Sequence, residues 1–385
     1  MSFLDNSAIN RVNLHSTLQA LAIGVGGVFV LAWLIRAGVP TPLTLLVFAF
    51  MTLGRFVLRP LVFPIERRIG LRGTLILGTV LEAAIFPLLP LVHGPGPMLL
   101  AVIVASAAGS VVYWTTYHAM FAAQGDDAAR GSQIGAREFA IGLINIAAPA
   151  IGGWAMVTGG PRAIFWLAAG LQLLAAAPLI GGPETPIPPD APGGRPFLIA
   201  GAALMAVDGW ISAGVYSVWQ VALFIAVGEH FGAYGGAMAL AGLLGAVASL
   251  VVGRMIDLGR GRVSVGLAYG AMAAATLFKA FSLSSPVLAV LANAVGAFAA
   301  TLLVPVFMSR VYTLAKASPC PLRFHAAGEA GWDIGCGSAC LLAAGLSAAG
   351  LPLAWSVGLA IPGLGLGAAL LLRAWDPARP EGRLL

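Results

Sequence analysis

Twelve apolar stretches, each about 20 residues long, run almost end to end through this chain and are separated by short, arginine-bearing loops. They lie at 15–37, 40–62, 72–92, 98–121, 134–157, 162–181, 196–228, 232–256, 262–282, 285–312, 326–348 and 352–374. A helix of that length matches the hydrocarbon core of a bilayer and satisfies its own backbone polar groups there. The pattern therefore predicts an all-α polytopic membrane protein with twelve transmembrane helices.

The composition agrees with this solvent. Only 9% of the residues are charged, against about 25% in a soluble domain, too few to cover a water-facing surface. The chain carries 50 glycines and 25 prolines. Both are tolerated in membrane helices, where small residues let backbones approach and neighbours satisfy freed carbonyls. The net charge of +6 does not indicate a nucleic-acid partner, because the cations sit at loop ends. Three cysteines, Cys320, Cys336 and Cys340, are too few for a disulfide framework. Residues 1–13 are polar and lack the pattern of a cleaved signal, so the first span is expected to direct its own insertion.

Alternating the loops between two sides separates the charges. Fifteen Arg and Lys, among them Arg59, Arg67, Arg72, Arg254 and Arg262, fall on one side, and Arg36, Arg162 and Lys279 on the other. The positive-inside rule places the first set, with both termini, in the cytoplasm. Residues 181–195, GGPETPIPPDAPGGR, are the longest polar interruption, and their Pro/Gly content marks a linker. The expected organisation is a six-helix bundle over 1–181, a cytoplasmic linker over 182–195, and a second six-helix bundle over 196–385. An offset of 191 residues places Glu66 on Asp257, Gly70 on Gly261, Glu138 on Glu329 and Phe121 on Tyr312. Such parallel repeats predict a pseudo-two-fold axis along the membrane normal, with a site between the halves at mid-depth.

The segment Gly253-Arg254-Met255-Ile256-Asp257-Leu258-Gly259-Arg260-Gly261-Arg262 resembles the cytoplasmic loop signature of the major facilitator superfamily. The N-terminal copy, Pro64-Ile65-Glu66-Arg67-Arg68-Ile69-Gly70-Leu71-Arg72, has Glu for Asp and lacks the first Gly. The resemblance implies two pseudo-symmetric six-helix bundles that rock about a central site, lined by the first, fourth, seventh and tenth helices. An acid at a helix end beside arginines suits a latch that closes in one state and breaks in the other. Glu66, Arg67 and Arg72 in one half and Arg254, Asp257 and Arg262 in the other are the candidates. A plain topogenic charge cluster is the alternative. Pro149-Ala150-Ile151-Gly152-Gly153 resembles the end of the antiporter motif of proton-coupled exporters, with Ala148 where that motif has Gly. It implies export; a bend that permits close helix packing is the other reading.

Charges within spans are the strongest functional candidates, since each costs at least ~2.5 kcal/mol at the bilayer centre. Asp208 is the deepest, in Met205-Ala206-Val207-Asp208-Gly209-Trp210 on the seventh helix. Desolvation penalises its charged form, which suits a proton carrier or the partner of a cationic solute. A carboxyl bonded to backbone at a helix break is the alternative. Glu82 on the third helix is expected to pair with Arg55, with a coupling role open. Arg137 with Glu138, and Glu329 with Asp333 across the repeat, are candidate gate residues near the cytoplasmic ends of their helices, or interfacial side chains that snorkel.

Aromatic and hydrogen-bonding side chains cluster on the helices assigned to the cavity. Trp114, Tyr117 and His118 lie on the fourth, and Trp210, Tyr216, Trp219 and Gln220 on the seventh. Such walls suit an amphipathic or aromatic organic molecule, although Trp and Tyr also anchor at membrane interfaces. Cys336 and Cys340 are one helical turn apart, but small buried cysteines are common and no metal site is expected. No Walker A, His-Glu-x-x-His or Gly-x-Ser-x-Gly sequence is present, so no enzyme is expected. The sequence thus predicts a proton-coupled secondary transporter of a small organic solute, with no cofactor and the proton gradient as its energy source. The expected setting is a bacterial inner membrane, with a monomer sufficing and the bilayer and solute as its only partners. Uptake in place of export, lipid or lysolipid translocation, and a non-transporting scaffold or sensor are the rival readings.

Overall fold

The computed structural model describes residues 6–124, 130–187, 192–256 and 261–374. These residues are helical with short connections, and no strand occurs among them. In chain order the helices are α1 (Ser7–Val25), α2 (Val30–Arg36), α3 (Thr41–Leu58), α4 (Val62–Ala83), α5 (Pro97–Gln124), α6 (Arg130–Thr158) and α7 (Gly160–Ala175). The second half follows with α8 (Arg195–Ser212), α9 (Trp219–Ala226), α10 (Phe231–Ile256), α11 (Gly261–Ser282), α12 (Pro286–Ala317), α13 (Pro321–Ala348), α14 (Leu353–Gly358) and α15 (Ala360–Ala374). A π-helical turn, Ala213–Val218, joins α8 to α9.

Local sequence sets several helix starts. Asn6 caps α1, its side chain accepting from the amides of Ala8 and Ile9, which leaves fewer orphan donors at that terminus. Ser285 caps α12 in the same way through Leu288. Proline stands in the first turn of α3, α7, α8, α12 and α13, where its missing N–H costs nothing. Gly70 interrupts α4 with φ +75°, a left-handed conformation that only glycine adopts freely. That break separates the predicted second and third spans.

Ten helical stretches among the described residues are long and apolar enough to cross a bilayer. One of them, Thr41–Leu91, contains two predicted spans on either side of Gly70. The predicted eleventh span, α13, falls outside that set; Glu329, Asp333 and its many glycines lower its hydropathy.

The chain divides into two compact units. The first contains Met1–Pro40, Leu53–Pro189 and Phe231–Ala239, and the second Thr41–Thr52, Asp190–His230 and Leu240–Leu385. Each takes in a short helix start from the sequence of the other half.

In the first unit, α4 and α5 meet where Gly78 faces the backbone of Tyr113 and Gly109 faces the backbone of Glu82. The residues 231–239 pack here through aromatic edges: Phe29 meets Phe231 at 6.2 Å and Tyr234 at 5.7 Å, and the Tyr234 hydroxyl donates to the Val28 carbonyl at 3.2 Å. In the second unit, α8 and α13 form the tightest seam. A methyl on Gly331 would strike the Ala202 carbonyl, one on Gly335 the Ala206 carbonyl, and one on Gly209 the Trp332 backbone. Small residues at such a seam let two helix backbones touch, which is how membrane helices gain packing energy without a hydrophobic drive.

Two cations expected in loops are buried instead. Arg59 is 4% exposed and donates to the Thr115 hydroxyl at 2.6 Å. Lys279 is 3% exposed inside the second unit. Both lie near helix ends, and their long side chains turn inward to a hydrogen-bond acceptor rather than outward to water.

Candidate functional site

Asp208 sits on α8 against the glycine seam with α13. That seam brings the Trp332 indole to its carboxylate, and Glu329 lies one turn before Trp332 as a second carboxylate in the same neighbourhood. Asp333 is fully buried on the same helix, and Glu329 is 7% exposed. Three acids therefore lie in the interior of α8 and α13.

The predicted aromatic wall of the seventh helix is divided by the structure. Trp210 donates its indole N–H to the Leu359 carbonyl at 2.7 Å, where α14 gives way to α15. Trp219 is 2% exposed and donates to Asn293 Oδ1 at 2.9 Å. Tyr216 is 44% exposed, while Val215, Ser217 and Val218 around it are buried. Gln220 is partly exposed. Tyr216 and Gln220 are thus the side chains of this stretch turned away from the packed interior.

In the first unit, Trp114, Tyr117 and His118 belong to one ring cluster on α5. Trp114 stacks on His118 at 5.7 Å, and Tyr117 on Tyr113 at 5.8 Å. Tyr117 is only 4% exposed, so it is a packing residue rather than an interfacial anchor. His15, which the sequence did not single out, anchors the cluster. Its Nδ1 lies 2.7 Å from the Ala175 carbonyl and its Nε2 3.1 Å from the Tyr113 hydroxyl. A carbonyl only accepts, so Nδ1 carries the proton, and in the neutral ring Nε2 accepts from the tyrosine hydroxyl.

Glu82 accepts from Gln172 Nε2 at 3.1 Å. Arg55 supplies the opposing charge, with Gln19 and Ser110 as neighbouring polar side chains. Five helices contribute to this cluster.

The N-terminal loop signature is engaged by the linker. Glu184 Oε1 accepts from the Arg72 amide at 3.0 Å, and its Oε2 lies 3.8 Å from Arg72 Nε. The Arg72 guanidinium also donates to the Gly182 carbonyl. Arg11 donates to the carbonyls of Pro178 and Ile180 at 3.2 and 3.1 Å, and Gln124 to Thr185 at 3.0 Å. Glu184 thus supplies a carboxylate at the helix start that follows Gly70. Glu66 is partly buried, and Arg67 and Arg262 are exposed. Asp257 lies outside the described residues, as do the side chains of Arg137, Glu138 and Arg254, so the C-terminal latch has no geometry here.

Gly152 and Gly153 of the partial exporter motif make close helix contacts. Gly152 faces the Val25 carbonyl and Phe29, and Gly153 faces Phe231 and Gly235, all within the first unit. Cys336 and Cys340 pack as small apolar residues with Ala49, Ala213 and Ala339.

These features define a class: a helical integral membrane protein with buried carboxylates on closely packed helices. The Major Facilitator Superfamily model matches residues 16–319, and the chain belongs to that family. It is a secondary transporter and not an enzyme. Solved structures share the fold over nearly its whole length. The in meso crystal structure of the POT family transporter PepTSo aligns with a TM-score of 0.69 and 12% identity, covering 96% of this chain and 99% of that one. A Major Facilitator Superfamily transporter, FucP, in the outward conformation gives 0.66 and 14%, covering 98% and 100%. An auto-inhibited POT family peptide transporter gives 0.65 and 14%, covering 98% and 99%. No curated protein sequence matches.

Proposed function

We propose that this transporter exports a small organic solute in exchange for protons by alternating access, with Asp208 as the coupling carboxyl. The observation that carries the reading is the placement of Asp208 against Trp332 and Glu329 on the α8–α13 seam. A proton on this group removes a buried charge, and its release restores one. That switch changes the electrostatics of the seam without any other chemistry. The Trp332 indole holds the ionised form in place by donating to it. Tyr216 and Gln220 are the side chains proposed to meet the solute. Export rests on the resemblance of Pro149–Gly153 to the exporter motif; the close contacts of Gly152 and Gly153 fit the packing reading of that segment equally well. The proton gradient is the energy source in this reading, a monomer in the inner membrane suffices, and both termini are cytoplasmic.

A second reading is proton-coupled uptake of a peptide-like solute. The peptide-like solute in this reading comes from one similar solved structure, described as a POT family peptide transporter.

The test is a thermal-shift screen of the purified protein against amines, acids, sugars, peptides, drugs and lipids at acidic and neutral pH. A ligand at 100 times its dissociation constant adds ~2.7 kcal/mol to native stability. The expected hit is a small organic solute whose shift depends on pH in the wild type and not in Asp208→Asn. Counterflow in proteoliposomes with that solute then gives the direction. A hit whose pH dependence survives Asp208→Asn removes Asp208 from the coupling role.

A further inference from the structure

The π-turn Ala213–Val218 is the irregular point of the helix that carries Asp208, and a buried cation from another helix meets it. Lys279, on α11, donates from Nζ to the Val215 carbonyl at 2.9 Å. The same Nζ lies 5.1 Å from the Trp219 ring centroid and 6.0 Å from that of Tyr216. A carbonyl and two ring faces meet this ammonium, not a carboxylate, among the described residues. The space for it is made on α12 by Gly296, where a methyl would lie 2.5 Å from Lys279 Cε. Trp219 is held on its other side by Asn293 of α12.

A π-turn adds one residue to the helical path, and in an α-helix one residue is about 100° of rotation. Whether this turn exists therefore decides which way Trp219 and Gln220 point relative to Asp208. Such turns disturb the regular backbone ladder and persist where something outside the helix supports them. Lys279 supplies a charged donor to a carbonyl inside the turn and a cation over the rings at its end, which is support at two points.

We propose that Lys279 is a positioning residue: by holding Val215, Tyr216 and Trp219 it fixes the π-turn and so sets the face that Tyr216 and Gln220 present to the solute. This rests on the reading that the seventh transmembrane helix lines the solute path. The ammonium need not touch the solute; its role is exercised through the turn.

The experiment is amide hydrogen exchange of the full-length protein in nanodiscs, comparing wild type, Lys279→Met and Lys279→Arg, with peptides resolved across 209–222. Lys279→Met should speed exchange over 213–220 by about tenfold or more, the scale of one lost hydrogen bond from a charged donor. Exchange in α11, α12 and α13 should stay within about twofold of wild type, and Lys279→Arg should restore most of the protection in the turn. Gly296→Ala, which pushes the lysine aside without changing charge, gives the same local signature if Lys279→Met cannot be recovered folded. Unchanged exchange at 213–220, a uniform rise across the whole second unit, or an arginine variant no better than methionine would overturn the proposal. This readout does not depend on any solute being moved. Failure of the transport reading appears instead in the ligand screen.

Discussion

The α8–α13 seam makes opposite predictions for two glycines on one helix. At Gly335 an added methyl meets the Ala206 carbonyl, a backbone atom that cannot rotate away. At Gly345, also on α13, nothing lies within 4 Å. Alanine improves helix propensity at both by ~0.5–1 kcal/mol. At Gly335 this gain is opposed by overpacking, which costs ~1–3 kcal/mol in a close-packed interior and more where backbone must move. The net expectation is a loss of roughly 1–2 kcal/mol for Gly335→Ala and a gain of up to roughly 1 kcal/mol for Gly345→Ala. Thermal unfolding of the detergent-purified variants, followed by tryptophan fluorescence, gives the sign directly. Gly335→Ala should melt below wild type and Gly345→Ala at or above it. Because the seam also brings Trp332 to Asp208, Gly335→Ala should weaken the pH dependence of ligand binding, while Gly345→Ala leaves it intact. A Gly335→Ala protein as stable as Gly345→Ala would show that the two helices do not touch as described, and would remove the physical basis for the Asp208 site.

Two further substitutions examine the first unit. Tyr113→Phe removes the donor to His15 Nε2 and leaves a buried acceptor unsatisfied, at a cost of about 1–3 kcal/mol; a melting temperature equal to wild type would show that the ring nitrogen finds another donor. Glu184→Gln should cost less than ~1 kcal/mol, because the Arg72–Glu184 contact is partly open to solvent, yet it should speed proteolytic cleavage within 181–195; an unchanged cleavage rate would show that Arg11 and Gln124 hold the linker without Glu184.

Much of the architecture was legible because the bilayer imposes a length on every helix. The break at Gly70, which falls between two predicted spans, follows from the same reasoning. Which face of each helix is buried was not legible. In a soluble protein a polar stripe marks the outside, but here lipid accepts apolar side chains as readily as the interior does. Trp154 is 67% exposed and Phe281 80%, whereas Phe29 is fully buried, and nothing in their local sequence separates them. For the same reason Trp210 and Tyr117 read as cavity residues, although one is bonded to the α14–α15 junction and the other is packed among rings. The partners of Asp208 and Glu82 lie on helices remote in sequence, so no local spacing reveals them. Glu184 left a fainter signal, as one of two acids in a Pro/Gly-rich linker, in a half whose loop signature lacks its usual Asp.

The buried cations show how a topology argument and a site argument share the same residues. Arg59 and Lys279 fall near helix ends, where a count of loop charges includes them, yet each is turned into its own unit and bonded to an oxygen there. Removing both leaves the charge asymmetry between the two sides intact, since it rests on many other arginines. Their burial instead carries a cost that must be offset by specific contacts. For Arg59 the visible contact is the Thr115 hydroxyl, on the same helix as the aromatic cluster. For Lys279 it is the π-turn beyond Asp208. Each buried cation thus ties a helix end to the helix that carries that unit's candidate functional residues. A change that neutralises either one removes a fixed point of the local helix geometry, whatever it does to the charge of the protein as a whole.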